Sequence, residues 1–312
     1  MDYSIVFVHS GLTLPEYLRD SINQARYFNN NCKIFLITNQ ALIKEIDYAN
    51  LLAVEIVSCE SLKESSRHNN FKNNSTLDPT FRNGFWQHTT ERFFYIDELI
   101  DQLNLTNVFH FENDVLIYVN LARLLSIFIQ CYPGIGATFD NDLRCVPGFM
   151  YFSNKTASYN LTEFISYSFL NKLPNSINDM ELLGSYRQLG SHLIDHLPII
   201  MDVYAHPLIT RTRMVPQNPH NYSKNFHLFQ SLFDAAAIGQ YIGGIDQRNA
   251  GGKNTKGFIN ESCVFNPALL EYYWGEEDGK QVPFAKHSDR YYRLNNLHVH
   301  SKELQKYISF QK

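Results

Sequence analysis

The sequence lacks any long apolar run, any run of basic residues and any pairing of cysteines. No stretch reaches the roughly 18 to 20 apolar residues that a membrane-spanning helix needs. The 27 basic and 31 acidic residues give a formal net charge of -4, which argues against the basic surface of a nucleic-acid-binding protein. The cysteines are odd in number and show no CxxC spacing, so neither a disulfide framework nor a zinc-thiolate site is expected. They are Cys32, Cys59, Cys131, Cys145 and Cys263.

The first residues, MDYSIVFVHSGL, lack the basic segment and the long apolar stretch of a secretory signal peptide. We interpret them as a first β-strand. From this we expect a cytoplasmic protein without a membrane-spanning segment.

What the sequence does contain is enough apolar material for a sizeable core, with 44% hydrophobic and 14% aromatic residues in a chain of 312. Apolar and β-branched runs at residues 4–8, 33–38 and 53–57 predict strands. Apolar residues at helical spacing over residues 14–28 and 41–51 predict helices between them. This βαβαβ order predicts a parallel sheet covered by helices on both faces.

The rest of the chain is less regular. Residues 60–84 are polar, and a loop of this length is a candidate lid over a functional site. Further helices are predicted at residues 89–103, 121–131, 157–171 and 179–194, and further strands at 108–118, 136–139, 148–152 and 294–300. Because no repeat and no Pro/Ser linker divides the chain, we expect one domain over residues 1–312.

Two carboxylates interrupt the apolar strand VFHFENDVLIY, namely Glu112 and Asp114. Residues two apart on a regular strand share one face, and burying two unpaired carboxylates is costly. They are therefore expected beside a cation, at the carboxyl end of a strand where open α/β sheets bind ligands. The alternative is that both are surface residues of a turn.

The segment Glu112-Asn113-Asp114 resembles the D-x-D motif of GT-A glycosyltransferases, with Glu in place of the first Asp. The resemblance implies an α/β fold of the GT-A type, a Rossmann-like mixed sheet sandwiched by helices, with a C-terminal extension closing over the site. Residues 1–120 would be the nucleotide-binding half and residues 121–312 the acceptor-binding half. By the same resemblance, Asp114 binds Mn²⁺ or Mg²⁺ directly and Glu112 lies near the ribose or a metal-bound water.

Other segments also resemble this family, namely LPEYL and KIFLIT in the first half and Phe85-Trp86 with ERFF before the acidic strand. Arg92, within ERFF, would neutralise a phosphate or pair with a carboxylate of the sheet. The donor-binding residues implied by the resemblance are Val8, His9, Ser10, Trp86, Arg92, Glu112, Asn113 and Lys302.

The C-terminal segment NLHVHSK would bring a histidine back to the metal, as many GT-A enzymes do. His298 and His300 are expected on one face of a terminal strand, and we favour His300 as the ligand with His298 as its competitor. Lys302 would then contact a phosphate. Because nitrogen is a softer donor than oxygen, a site with one imidazole suits Mn²⁺ better than Mg²⁺. For any single histidine, a structural hydrogen-bonding role is the alternative.

Asp179 and Glu181 open a predicted helix after the GFMYF strand, where many inverting GT-A enzymes carry the catalytic base. Asp179 is the preferred candidate, and Glu181 shares the assignment. Acidic residues also favour helix N-termini for electrostatic reasons alone. In a retaining enzyme, Asp179 would bind donor or acceptor hydroxyls instead.

The segment LFDAAAIGQY combines small residues with Asp234 and Gln240. Small residues let the backbone approach a ligand closely, and both polar side chains are candidates to bind the hydroxyls of the acceptor or of the transferred sugar. The alternative is a tightly packed helix that Asp234 caps.

Together these features predict a metal-dependent glycosyltransferase that uses a nucleotide-diphosphate sugar, with UDP favoured over GDP. The acceptor, a glycan, a lipid-linked sugar or a protein, is left open. A metal-dependent nucleotidyltransferase is disfavoured because the loop HSGLTLPEY lacks Lys and Arg. A non-catalytic sugar- or protein-binding module is the other alternative.

Overall fold

A seven-stranded mixed β-sheet lies at the centre of the chain, for which the computed structural model describes residues 2–46, 51, 53–172, 178–202, 215–253 and 255–310. The strands in these ranges are β1 Ser4–His9, β2 Lys33–Thr38, β3 Glu55–Ser58, β4 Val108–Phe111, β5 Val115–Ile117, β6 Ile135–Asn141, β7 Arg144–Phe152, β8 Ile194–His196, β9 Ser231–Leu232, β10 Glu271–Glu277, β11 Lys280–His287, β12 Arg290–Leu294 and β13 Asn296–His298. The central sheet has the order β3-β2-β1-β4-β7-β6-β8.

The helices in the same ranges are α1 Glu16–Phe28, α2 Gln40–Ile43, α3 Ser66–Asn74, α4 Phe85–Leu103, α5 Leu125–Cys131, α6 Lys155–Leu170, α7 Asp179–Leu189, α8 Phe226–Phe229, α9 Ala237–Gly243 and α10 Gln247–Ala250. None of them combines the length and the apolar character needed to cross a membrane.

The sheet is parallel only in part. Strands β3, β2, β1 and β4 run parallel, whereas β7 runs antiparallel to both β4 and β6. Alternate residues of β1 enter different cores, since Ile5 and Phe7 pack on one face and Val6 and Val8 on the other. The mixed α/β fold predicted from the sequence is confirmed, with both faces of the sheet buried.

Most predicted elements are present with shifted ends. Helix α1 begins at Glu16, directly after Pro15. Of the helix predicted at residues 41–51, the described part contains α2, and residues 47–50 lie outside the described ranges. The helix predicted at 179–194 ends at Leu189, followed by Gly190, whose φ of 157° departs from helical geometry. The antiparallel strands β10, β11 and β12 were not predicted.

The prediction that residues 60–84 form an irregular lid is wrong for its central part, because α3 is a helix packed against the core. His68 and Phe71 of α3 are fully buried. The two ring nitrogens of His68 each lie 3.0 Å from a carboxylate oxygen of α4, those of Glu91 and Glu98. The longest continuously exposed stretch of the predicted loop is residues 78–83.

Candidate active site

A tight turn, rather than a continuous strand, carries the acidic motif. The predicted strand 108–118 is divided into β4 and β5, and residues 112–114 connect them. The Glu112 N–H donates to the Gly148 carbonyl at 3.2 Å, and the Val299 N–H donates to the Asp114 carbonyl at 2.8 Å. The turn is thus held between β7 and the C-terminal segment, at the carboxyl end of β4.

The turn brings its two carboxylates to a histidine from the other end of the chain. Ligand atoms of Glu112, Asp114 and His298 all lie within 4.8 Å of one another. His298 Nε2 lies 3.2 Å from Asp114 Oδ2 and 3.5 Å from Glu112 Oε2. We call these three residues the acidic cluster. Asp114 and His298 are buried, and Glu112 is largely so.

Two cations balance this charge. Arg92, from α4, donates through Nη1 to Glu112 Oε1 and through Nη2 to Asp179 Oδ2, both at 2.6 Å. Lys302 Nζ donates to Asp114 Oδ2. A buried guanidinium therefore joins the acidic cluster to the first residue of α7.

The surroundings of Asp114 and Asp179 shift the pKa values of these two carboxyl groups in opposite directions. Burial alone would raise the pKa of Asp114, but His298 and Lys302 outweigh it and hold that pKa well below its usual range. At Asp179 burial dominates over the opposing effect of Arg92 and raises the pKa to about 6. Asp114 is thus a permanent carboxylate, while Asp179 exchanges its proton near neutral pH.

Of the two C-terminal histidines, His298 is the one that joins the acidic cluster. Strand β13 ends at His298, so the predicted strand over residues 294–300 is too long and the two rings do not share a strand face. His300 lies in the following turn, its Nδ1 accepts the Asp246 N–H at 3.0 Å, and its ring centroid is 6.3 Å from that of His298.

The predicted donor residues around β1 lie beside the turn. Val8 is buried in β1. His9 Nε2 donates to the Thr13 carbonyl at 2.7 Å, so its Nδ1 accepts from Asn113 Nδ2 at 3.2 Å. Ser10 Oγ lies 3.2 Å from His88 Nδ1, at the start of α4. The end of β1 and the start of α4 therefore form one rim of the site.

Trp86 lies in the first turn of α4, where its ring is parallel to that of Phe81 with centroids 6.1 Å apart. Among the described contacts, none joins it to the acidic cluster. Nearby, Arg82 Nη2 donates to Asn249 Oδ1 at 2.6 Å. This bond links the exposed segment 78–83 to α10. Asp246, directly before α10, is in turn bonded to His300.

The remaining predicted site residues differ in whether their side chains are buried or exposed. Asp179 is buried in contact with Arg92, whereas Glu181 is exposed on the same helix. The Asp234 carboxylate accepts the backbone N–H groups of Ile238 and Gly239, each at 2.9 Å, which are the contacts of a helix-capping residue. Gln240 is buried on α9.

Several buried polar atoms around the acidic cluster have no hydrogen-bond partner among the described residues. They are Arg92 Nε, Asn113 Oδ1, His298 Nδ1, Gln240 Oε1 and Ser301 Oγ. Buried polar groups in proteins are nearly always paired, so such atoms indicate a missing partner. Atoms without a partner also occur elsewhere in the described residues, for example His196 Nδ1 and Tyr186 Oη, so these five agree with a site that takes a polar ligand but do not by themselves identify one.

Sequence reasoning gave Gly148 no role, although it lies against this site. A glycine between bulky residues of a strand marks a bulge or a close approach, and the register of β7 against β6 shifts between Met150 and Val146. The sequence VPGFMYF, in which a glycine stands between bulky residues, already contained a signal for such a close approach.

No protein-family model matches the sequence, and no curated protein matches it either. Solved structures with a similar fold include three glycosyltransferases. Mouse xyloside xylosyltransferase 1, in its apo form, aligns at TM-score 0.47 and 12% identity over 64% of this chain and 86% of that one. Galactosyltransferase LgtC, in complex with donor and acceptor sugar analogues, aligns at 0.42 and 13% over 67% and 80%. GlyE of Streptococcus pneumoniae TIGR4 aligns at 0.37 and 11% over 63% and 45%. Because these TM-scores lie below 0.5, we draw the function from the site itself.

Proposed function

We propose that the chain is a metal-dependent glycosyltransferase that moves a sugar from a nucleotide-diphosphate donor to an acceptor. UDP-sugars are the favoured donors and GDP-sugars the next to test. The observation that carries the proposal is the convergence of Glu112, Asp114 and His298, in which residues 184 apart in sequence meet at the carboxyl end of β4.

The acidic cluster fits a divalent cation. It offers two carboxylates and one imidazole nitrogen within 4.8 Å, which leaves further positions for diphosphate oxygens. This mixed oxygen and nitrogen donor set suits Mn²⁺, with Mg²⁺ as the alternative. We therefore assign Asp114, Glu112 and His298 as the ligands and keep His300 as a neighbour of the site. When bound, the cation supplies Lewis-acid stabilisation of the charge that develops on the leaving diphosphate.

Lys302 competes with the cation for Asp114, because its ammonium already donates to Oδ2. In the loaded protein we expect Lys302 to turn toward a phosphate oxygen, which a nearby ammonium binds well. Its backbone has a left-handed φ of 67° in a turn closed by its N–H and the Val299 carbonyl. The turn therefore fixes the backbone of Lys302, and with it the base of the side chain, relative to the site.

Arg92, and Asp179 through it, meet the acidic cluster at Glu112, whereas Lys302 meets it at Asp114. A carboxylate with a pKa of about 6 is suited to take a proton from an acceptor hydroxyl near neutral pH. In an inverting enzyme Asp179 is then the base, and in a retaining one it binds sugar hydroxyls. Gln240, with its unpaired Oε1, is proposed to bind a sugar hydroxyl, whereas for Asp234 the capping contacts support the structural role.

A thermal-shift panel of UDP- and GDP-sugars, with and without Mn²⁺, tests this function. We expect at least one nucleotide sugar to raise the melting temperature only when Mn²⁺ is present, and Asp114→Asn to lose that effect. Asp97→Asn is the matched control, since Asp97 is likewise buried and paired with a basic side chain, that of Arg67, outside the acidic cluster. Stabilisation that survives Asp114→Asn would sink the proposal.

A further inference from the structure

The backbone of His298 is tied to α9 through Asp234. The His298 N–H donates to Asp234 Oδ2 at 3.0 Å, and the same oxygen accepts the Gly239 N–H at 2.9 Å. The Asp234 N–H in turn donates to Asn296 Oδ1 at 3.0 Å, two residues before His298. Because Asp234 is almost completely buried, this carboxylate fixes β13 against the first turn of α9.

Two glycines confine His298 from opposite directions. A Cβ on Gly239 would lie 2.0 Å from the His298 carbonyl oxygen, so only glycine lets α9 approach β13 this closely. A Cβ on Gly148 would lie 2.7 Å from His298 Nδ1 and 3.3 Å from Cε1. The imidazole therefore rests directly on the backbone of β7, at the shift in the β6–β7 register.

The second ring nitrogen of His298, Nδ1, lacks the hydrogen bond that usually orients a metal-binding histidine. A metal-binding histidine almost always donates its other ring N–H to a carboxylate, carbonyl or water, which fixes the plane of the ring. His298 Nδ1 is buried and has no such partner among the described residues. On the Nδ1 side the ring is held by packing against Gly148, while Nε2 lies 3.2 Å from Asp114 Oδ2.

We propose that Gly148 and Asp234 are positioning residues for metal binding, which set the ring and the backbone of His298, respectively. This inference rests on the proposed function, because it requires the acidic cluster to bind a cation. It also gives Asp234 a role different from the sugar binding predicted from the sequence. Neither residue contacts the cation, and both act through His298.

The test measures the affinity of the chain for Mn²⁺ alone, from the electron paramagnetic resonance signal of the free ion. Gly148→Ala should weaken binding by about 10-fold or more, because a Cβ there would lie 2.7 Å from His298 Nδ1 and force the ring to move, and misorienting a metal ligand costs at least this much. Gly136→Ala is the matched control. It lies in β6 opposite Tyr151 of β7, and the nearest side chains to its Cβ would be Tyr132 at 3.0 Å and Leu197 at 3.4 Å. It should lose stability but retain the wild-type affinity.

The same substitution in a His298→Ala background separates positioning from general damage. If Gly148 acts through His298, Gly148→Ala should have no further effect on Mn²⁺ affinity once the imidazole is gone. An equal loss in both backgrounds, or wild-type affinity in Gly148→Ala itself, would overturn the proposal.

Asp234→Asn provides a second variant should Gly148→Ala not fold, because it keeps the shape of the side chain and removes one of the two acceptor oxygens. It should also weaken Mn²⁺ binding, and wild-type affinity would contradict its role. A wild-type chain that binds no Mn²⁺ refutes the metal site and this inference together. Wild-type binding with unaffected variants refutes the inference alone.

Discussion

At the scale of single residues, the site is organised around two basic side chains that between them pair with three carboxylates. Arg92 is enclosed in the protein and bonded to both Glu112 and Asp179, so its charge is fixed in the site. Lys302 is bonded to Asp114 and its side chain remains about a quarter exposed. Arg92 is therefore a permanent part of the site, whereas Lys302 is able to exchange partners.

Replacing Lys302 should affect the metal and the nucleotide in opposite directions. In Lys302→Met, Mn²⁺ alone should bind more tightly, because no ammonium competes for Asp114. Binding of a nucleoside diphosphate should weaken by about 10- to 100-fold, since a charge-assisted hydrogen bond contributes about 1.5 to 3 kcal/mol. Isothermal titration with each ligand measures both effects. A parallel loss of both affinities would show that Lys302 only supports the structure.

Asp179 predicts a pH dependence of transfer. Its raised pKa of about 6 means that the carboxylate form is lost as the pH falls below about 6, and the transfer rate should fall with it. Asp179→Asn should lower the rate by about 100-fold or more while donor binding is retained. Normal turnover in this variant would refute the role as base.

The same pKa makes a stability prediction. Because the folded state raises the pKa above the unfolded value near 3.8, the native protein favours the protonated form and loses stability as the pH rises through about 6. Asp179→Asn should therefore be more stable than the wild type at pH 8, by about 3 kcal/mol. The difference should vanish near pH 4. Urea unfolding at both pH values measures it, and a less stable variant at pH 8 would contradict this account.

The residues of the site were predictable to different degrees. Two carboxylates inside an apolar strand are unusual, so Glu112 and Asp114 could be identified from sequence. The choice between His298 and His300 could not be made, because it depends on where β13 ends, and both residues continue the same alternating pattern. The contact between Arg92 and Asp179 joins elements 87 residues apart, and no local pattern encodes it.

At the scale of elements, α3 shows how a polar segment becomes part of the core. Its sequence, SRHNNFKNN, has little apolar character, yet Phe71 stacks on Phe94 at 5.1 Å and packs edge-on to Phe169 at 5.0 Å. His68 lies between two glutamates of α4. The sequence pattern did not predict this helix, because the residues that pair with its polar side chains lie on another helix, α4, which also carries Arg92.

Removal of the Phe71 ring tests whether α3 is anchored. Phe71→Ala should lower the free energy of unfolding by about 3 to 5 kcal/mol, the usual loss for a buried aromatic ring. Phe81→Ala, at an exposed position of the same connection, should change it by about 0.5 kcal/mol or less. Chemical denaturation measures both. Near-equal values would indicate that α3 is a mobile lid after all.

The strands of the first half were predictable because each is a short apolar run, as in KIFLIT for β2. Of the strands described in the last third, only β13 was predicted, as part of a longer strand over residues 294–300. Strand β10, EYYWGEE, is half exposed, and its pairing with β11 depends on a turn at Asp278 and Gly279, both in left-handed backbone. The prediction of a parallel sheet from the βαβαβ order is wrong at β7, which is antiparallel to both of its neighbours. The order of elements along the chain does not indicate antiparallel pairing.

At the scale of the whole molecule, the C-terminal segment completes the site by returning to the first half of the chain. Strand β13 pairs with β5 directly after the acidic turn. Further on, Ser309 exchanges two hydrogen bonds of 2.9 Å with Gln24 of α1, and the Tyr118 hydroxyl donates to the Tyr307 carbonyl at 2.8 Å. The proposed metal site is thus built from parts of the chain that are far apart in sequence, so metal binding there would be linked to the folding of both.

The most direct measurement is the release of nucleoside diphosphate from a panel of nucleotide sugars by the purified chain, with Mn²⁺ and with chelator. The account predicts that at least one donor is hydrolysed or transferred only with Mn²⁺, and that Asp114→Asn lowers this rate by about 100-fold while Asp97→Asn retains it. Release that is equal in chelator, or unchanged in Asp114→Asn, would contradict it.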